Sequence, residues 1–181
     1  MQLIKRIIHF ILKFDFMYEN IYNSPIGEIC LIAQDDCLIY CNWVADECNR
    51  KYERIITLFD SPVKNSEIKV VEVAKCQLEG YFRGEISKFS VPLTYSGTEF
   101  QKNVWKILRG IGYGETLSYK ELARLVGKEN GMRAVAQACG ANPLAIIVPC
   151  HRVIGKDRKL GGYTGGLDKK RALLLIEGIK I

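Results

Sequence analysis

Apolar residues recur along this chain with two different periods, and the switch between them divides it. From Tyr18 to Trp43 the pattern is strand-like, interrupted at Ser24-Pro25-Ile26-Gly27 and at Gln34-Asp35-Asp36, two clusters of turn-forming residues. It predicts strands over 28–33 and 38–43, joined as an antiparallel hairpin or meander. Helical spacing follows over 51–59 and 66–82, the second segment carrying an apolar face of Ile68, Val71, Val73, Ala74, Leu78, Tyr81 and Phe82. Phe89-Ser90-Val91-Pro92-Leu93 reads as an edge strand, because proline cannot donate to a central ladder. The short polar segment 94–98 then marks a boundary, and almost everything beyond it is helical in pattern.

Thr98 is placed to cap a helix over 99–111 whose stripe is Val104, Ile107, Leu108 and Ile111. Ser118, with Glu121 three residues on, forms a capping-box signature for a helix over 119–126. Gly127 to Gly131 make a turn, and 132–139 form a second helix, so the pair reads as a helix-turn-helix. The run Ala145-Ile146-Ile147-Val148 has the length and β-branching of a short buried strand, ended by Pro149. At the other end of the chain, Ile4, Ile7, Ile8 and Ile11 lie at helical spacing with Lys5, Arg6 and Lys13 off the stripe. That is an amphipathic helix, too short and too charged to span a bilayer, and Met17 offers an alternative start after it. The expected fold class is α+β: a small N-terminal antiparallel sheet with a helix, then a mostly helical C-terminal domain with a helix-turn-helix and short strands. The expected units are an extension over 1–16, an N-terminal α/β domain over 17–95 and a C-terminal domain over 96–181.

Composition narrows the function classes. With 181 residues and 48% hydrophobic content the chain buries a core, which excludes a disordered protein. A net charge of +6 favours anionic partners without naming one. Seven cysteines, an odd number with no CxxC pair, point to a reducing, cytoplasmic compartment. Cys30, Cys37, Cys41 and Cys48 cluster without the paired short gaps of a zinc site, so no metal is expected.

Two segments carry candidate chemistry. In the second helix of the helix-turn-helix, Arg133 is followed by Ala134, Val135, Ala136, Gln137, Ala138 and Cys139. Small side chains let a helix approach a nucleic-acid groove closely, and one long cation beside them can occupy the space left by an extruded base. The same alanines also suit plain helix packing, with Arg133 solvated. In Val148-Pro149-Cys150-His151-Arg152-Val153 a thiol stands beside an imidazole and a guanidinium at the end of an apolar run. Two readings stand for Cys150: a nucleophile held by core packing and facing a cleft, or a small buried hydrophobe.

Pro149-Cys150-His151-Arg152-Val153, together with Gly114-Glu115-Thr116-Leu117-Ser118-Tyr119, Arg133-Ala134-Val135, Asn142-Pro143 and Gly161-Gly162-Tyr163-Thr164-Gly165-Gly166-Leu167, resembles the O6-alkylguanine-DNA alkyltransferases. The likeness is strongest over 97–178 and weaker over 23–43. It implies a DNA repair protein that flips O6-alkylguanine, and O4-alkylthymine as well, out of duplex DNA. The alkyl group passes irreversibly to the Cys150 thiolate, once per chain and without a cofactor. An unperturbed thiol, at about 8.5, is mostly protonated at neutral pH, so a proton acceptor is needed. The resemblance implies His151 acting through a bridging water and oriented by Glu177. Tyr119 would assist departure of the guanine, and Lys170 would stand near the same pocket. The implied DNA-facing set is Arg133 as the intercalating residue, Ala134, Gln101, Lys120, Asn142 as a hinge, and Thr164 and Gly165 lining the flipped-base pocket. The implied partner is double-stranded DNA carrying alkylated bases, with no obligate protein partner, no membrane and a monomeric chain.

Two departures stand out. The family's usual glycine after Arg-Ala-Val is Ala136 here, which adds a methyl to the groove-facing helix, and Gln34 and Ile39 stand near where some members carry metal ligands. A DNA-binding module with an inert cysteine, and a cysteine hydrolase or thiol oxidoreductase, are the competing classes. The latter needs a resolving cysteine or a nucleophile elbow, and neither motif occurs.

Overall fold

In the computed structural model the described residues are 17–44, 52, 63–64 and 68–181. The helix expected over 1–16, most of that over 51–59 and the start of that over 66–82 lie outside them. Strands β1 (Met17–Ser24), β2 (Gly27–Gln34) and β3 (Cys37–Trp43) form an antiparallel meander, and β4 (Val63–Lys64) joins β1 in parallel, giving the order β3-β2-β1-β4. The first hairpin closes where Ser24 pairs with Gly27, and the Ser24 hydroxyl accepts from the Ile26 amide and donates to the Gly27 carbonyl. β2 is buried on both faces. Ile29, Leu31 and Ala33 enter the main core, whereas Cys30 and Ile32 pack with Met17 and Tyr40 on the other side. Two-sided burial explains why this strand is nearly continuously apolar.

Helix α1 (Lys69–Phe82) lies on the sheet through Val70, Val71, Ala74, Leu78 and Tyr81. After the 94–98 segment, α2 (Glu99–Leu108) starts from a complete Thr98–Gln101 capping box and buries Val104, Trp105 and Leu108. It stops one turn short of the expected end, at Arg109-Gly110. The two-residue strand β5 (Leu117–Ser118) pairs in parallel with β6 (Val153–Ile154). α3 (Tyr119–Leu125) begins from the Ser118–Glu121 capping box, α4 (Met132–Gly140) follows, and α5 (Leu167–Ile176) closes the chain. The helix-turn-helix is therefore present with its expected boundaries to within a residue or two. Among the described residues no helix is long and apolar enough to cross a membrane.

Two expected strands are not strands. Segment 89–93 contributes one bridge, Leu93 beside Leu38. The Leu38 amide donates to Pro92 O and the Thr94 amide to Leu38 O, while Pro92 itself has no amide to extend the pairing. Segment 145–148 is a pair of tight turns. The Ile147 amide bonds Ala145 O across Ile146, whose φ is +71°, and the Cys150 amide bonds Val148 O across Pro149 at φ −82°, ψ 64°. Both are three-residue γ-type turns, and the left-handed one centres on a β-branched residue, a conformation that costs on the order of 1–3 kcal/mol. Tertiary contacts hold it: Cys41 in β3 donates to Pro143 O and accepts from the Ala145 amide, and Ile146 is buried. One apolar cluster, including Leu31, Trp43, Tyr81, Trp105, Leu144 and Leu173, runs through both halves of the chain.

Candidate active site

Cys150 opens a single 3-10 turn, Cys150–Arg152, directly after these bends. Asn142 fixes the geometry. Its side-chain amide donates to Val148 O at 2.7 Å and to Cys150 Sγ at 3.2 Å, and its Oδ1 accepts from the Leu144 amide at 3.0 Å. Both amide hydrogens thus point at the turn, one of them at the sulfur, where a hydrogen bond gains strength when the sulfur carries charge. Cys150 lines a cavity of about 380 Å³ with Tyr119, Ala136, Cys139, Gly140, Gly162, Tyr163 and Thr164. The volume lies in the usual range for small-molecule pockets, roughly 300–1,000 Å³.

Behind the thiol lies a buried charge cluster. Glu177 receives Arg152 in a bidentate pair, Nε to Oε2 and Nη2 to Oε1, each 2.9 Å, and His151 Nε2 lies 2.8 Å from Oε1. Arg152 also donates to Ile111 O at 2.5 Å and lies over the Tyr113 ring. Burial acts to raise the Glu177 pKa, but the hydrogen bonds and charges of His151 and Arg152 outweigh it and hold the carboxyl at about 2. For His151 burial dominates, lowering its pKa against the pull of Glu177. An ionised carboxylate only accepts, so a neutral imidazole must carry its hydrogen on Nε2. That leaves a lone pair on Nδ1, which is buried and has no protein hydrogen-bond partner.

Tyr119, at the start of α3, places its ring on the cavity wall and its hydroxyl 3.4 Å from Gly162 O. Burial pushes this phenol up to about 12, with the two pocket thiols adding to the shift, so it keeps its proton as a donor. Gly161 turns the facing loop through φ +63°, and a side chain there would meet the Tyr119 ring at 3.0 Å. Lys170 is completely buried and donates to the carbonyls of Val153 (2.7 Å), Leu160 and Gly162 (3.3 Å). Desolvation pulls its ammonium down to about 8, against the opposing effect of Cys150 and Cys139. Its bonds make it a clamp on the loop opposite Tyr119.

The DNA-facing expectations divide. Arg133, Ala134 and Lys120 are exposed on the helix-turn-helix, and Ala134 borders an open groove of about 690 Å³ with Phe100, Lys128 and Asn130. Thr164 lines the cavity and donates to Gly140 O at 3.0 Å. The remaining positions have partners within the chain. Asn142, expected as a hinge, is buried against the thiol, where its side chain bonds the Val148 carbonyl and the Leu144 amide. Gly165 is buried under Trp43, where an added Cβ would lie 2.0 Å from the indole, so it seats the pocket loop on β3. The Gln101 side-chain oxygen caps the Thr98 amide at 2.9 Å. Ala136, expected at the groove, lines the thiol cavity.

Sequence reasoning passed over several contributors. Tyr81 in α1 donates to Glu177 Oε1 at 2.7 Å, Asn42 donates to Asn142 O at 3.3 Å, and Trp43 Nε1 points to the Tyr163 hydroxyl at 3.4 Å. Cys139 stands in the cavity as a second thiol, pushed up by burial. Periodicity had placed Tyr81 on an apolar face. Its one legible signal was a phenol that needs a partner once buried.

The chain is similar to known proteins in sequence and fold. Residues 17–95 match the family described as 6-O-methylguanine DNA methyltransferase, ribonuclease-like domain, and residues 99–179 match 6-O-methylguanine DNA methyltransferase, DNA binding domain. A methylated-DNA–protein-cysteine methyltransferase of Methanosarcina acetivorans is 48% identical over 162 residues, 90% of this chain and 99% of that protein. A protein of the same name from Mycolicibacterium paratuberculosis is 54% identical over 156 residues, 86% of this chain and 88% of that protein. The crystal structure of Mycobacterium tuberculosis OGT in complex with DNA superposes with a TM-score of 0.78 at 41% identity, covering 88% of this chain and 92% of that one.

Proposed function

Because the chain belongs to the 6-O-methylguanine DNA methyltransferase family, we propose that it repairs alkylated DNA by moving the alkyl group from guanine O6 to its own Cys150, one event per chain. The observation that carries this reading is the convergence of Cys150 and Tyr119 on one cavity beneath the helix-turn-helix. Arg133, exposed in the first turn of α4, enters the duplex and occupies the space of the extruded base, while Lys120 and Ala134 meet the backbone and groove. In the cavity the Cys150 proton passes through a water to Nδ1 of His151, and Glu177 stabilises the imidazolium. The thiolate, held by the Asn142 amide, attacks the alkyl carbon. The S–C bond forms as the O6–C bond breaks, and the electron pair goes to the guanine ring. The ring accepts a proton from the Tyr119 hydroxyl, which recovers one from the His151 side through solvent. Lys170 holds the loop that closes the cavity and adds positive charge near the thiolate.

A thioether is not reversed by water, so one equivalent of substrate consumes the protein. Every group in this scheme comes from one chain and none is a cofactor, so a monomer is sufficient. The chemistry needs a reduced thiol, and none of the six cysteines among the described residues is in a disulfide, which suits a reducing cytoplasm. Incubation with duplex containing O6-methylguanine should raise the intact mass by one methyl in place of hydrogen, mapped to Cys150. Cys150→Ala should bind the duplex and gain nothing; methyl transfer retained in that variant would overturn the proposal.

A further inference from the structure

We propose that Tyr81, in the N-terminal half, is a positioning residue for the His151–Glu177 pair, setting the basicity of the imidazole through the carboxylate oxygen that both groups share. The inference rests on alkyl transfer at Cys150 and extends the machinery to an element that contributes nothing to the cavity wall.

Glu177 Oε1 takes three donors from three directions: His151 Nε2 at 2.8 Å, Arg152 Nη2 at 2.9 Å and the Tyr81 hydroxyl at 2.7 Å. The guanidinium fixes the plane of the carboxylate, and a third donor from a separate helix fixes its position within that plane. Tyr81 cannot swing away. Its ring is fully buried and packed edge-on to Phe82 at 5.4 Å and Tyr113 at 6.0 Å, and tilted against Phe89 at 5.6 Å. Burial and the Glu177 charge push the phenol far above its ordinary value, so it remains a proton donor throughout the working range. A buried tyrosine with a purely structural role needs only some acceptor, and a backbone carbonyl would serve. This one meets the oxygen that orients the catalytic imidazole.

The physical consequence has a definite sign. A phenol bonded to Oε1 draws negative charge away from the atom that faces His151. Removing it concentrates that charge, stabilises the imidazolium and raises the imidazole's proton affinity. Arg152, Lys170 and Tyr113 also face this pair, and a Tyr81 variant leaves all three in place. The reaction uses neutral His151 as the proton acceptor. A more basic imidazole therefore moves the acid limb of the transfer rate to higher pH.

The chain holds only two histidines, His9 and His151, so its imidazole spectrum is simple to assign, with His9→Gln marking the other signal. In Tyr81→Phe, which keeps the ring, the His151 titration midpoint should rise by about half to one pH unit. Transfer below that midpoint should slow by about three- to tenfold. In a Glu177→Gln background the same substitution should not move the His151 titration midpoint further. In the unaltered protein the Tyr81 hydroxyl proton should exchange slowly and show a cross-peak to the His151 Nε2 proton, a measurement that needs no variant to fold. A Tyr81→Phe protein whose His151 titration and pH profile superpose on those of the unaltered chain overturns the inference, as does the absence of that cross-peak. Failure of the unaltered protein to accept methyl is a separate result, against the function itself.

Discussion

The two halves of this molecule divide the work unequally. Residues from Glu99 onward supply every group on the thiol cavity wall, whereas the sheet and α1 supply none of them. Yet the N-terminal half supports each part of the site from behind: Cys41 and Asn42 hold the turn before Cys150, Trp43 seats the pocket loop at Gly165, and Tyr81 bonds Glu177. The chemistry belongs to one half and much of its geometry to the other. Positioning a thiol, a loop and a carboxylate to within a fraction of an ångström requires support from more than one direction.

Substitutions on either side can break that division. The largest stability effect is expected at the junction itself. Glu177→Gln leaves Arg152 buried without its counter-charge and should cost about 3–5 kcal/mol in urea unfolding at neutral pH, with transfer nearly abolished. The same carboxyl governs acid behaviour. Its ordinary value is near 4.5 and its folded value about 2, so it contributes its full stabilisation above 4.5 and loses it as pH falls towards 2. The loss is about 3 kcal/mol. His151, whose pKa is lowered by burial, adds to the same trend by losing stability as pH falls below its ordinary 6.5. Thermal unfolding followed from neutral to strongly acidic pH should show both in the unaltered chain, with the lower step missing in Glu177→Gln.

Gly165→Ala tests the loop seat. Its Cβ would lie 2.0 Å from the Trp43 ring, and the overpacking should cost about 1–3 kcal/mol and slow transfer. Trp43→Ala in the same chain should recover part of the loop position but not the burial that the indole provided, which transfer rate and unfolding measured together will separate. The smallest effect is expected for Asn42→Ala. It removes the 3.3 Å bond to Asn142 O together with the 3.3 Å bond that Asn42 Oδ1 accepts from the Trp43 amide, and should cost about 1 kcal/mol with a modest fall in rate. If Asn42→Ala instead equals Glu177→Gln in severity, the N-terminal half does more than support.

Legibility followed range of interaction. The caps at Thr98 and Ser118 were readable because donor and acceptor lie three residues apart, so the chain's local order specifies them. The strands of the meander were readable because Pro25-Ile26 and Asp35-Asp36 punctuate them. The 145–148 run misled for the opposite reason. Four apolar residues are equally consistent with a strand or a buried bend, and the deciding bonds come from Asn142 and from Cys41, more than a hundred positions earlier. Asn142 and Gly165 were found by motif, but the groups that hold them, Val148 O and the Trp43 ring, are set by the folded chain.

The linear order of residues alone determined the helix-turn-helix, the sheet meander and the pairing of a candidate thiol, Cys150, with the imidazole of His151. Those features depend on periodicity, on capping within a turn of helix and on residues adjacent in the motif. Tertiary structure decided how the thiol is aimed and which carboxylate oxygen answers to which donor. Cys150, Glu177 and Tyr81 meet only after one core forms across both halves, and a hydrogen bond spanning 96 residues has no local pattern to announce it.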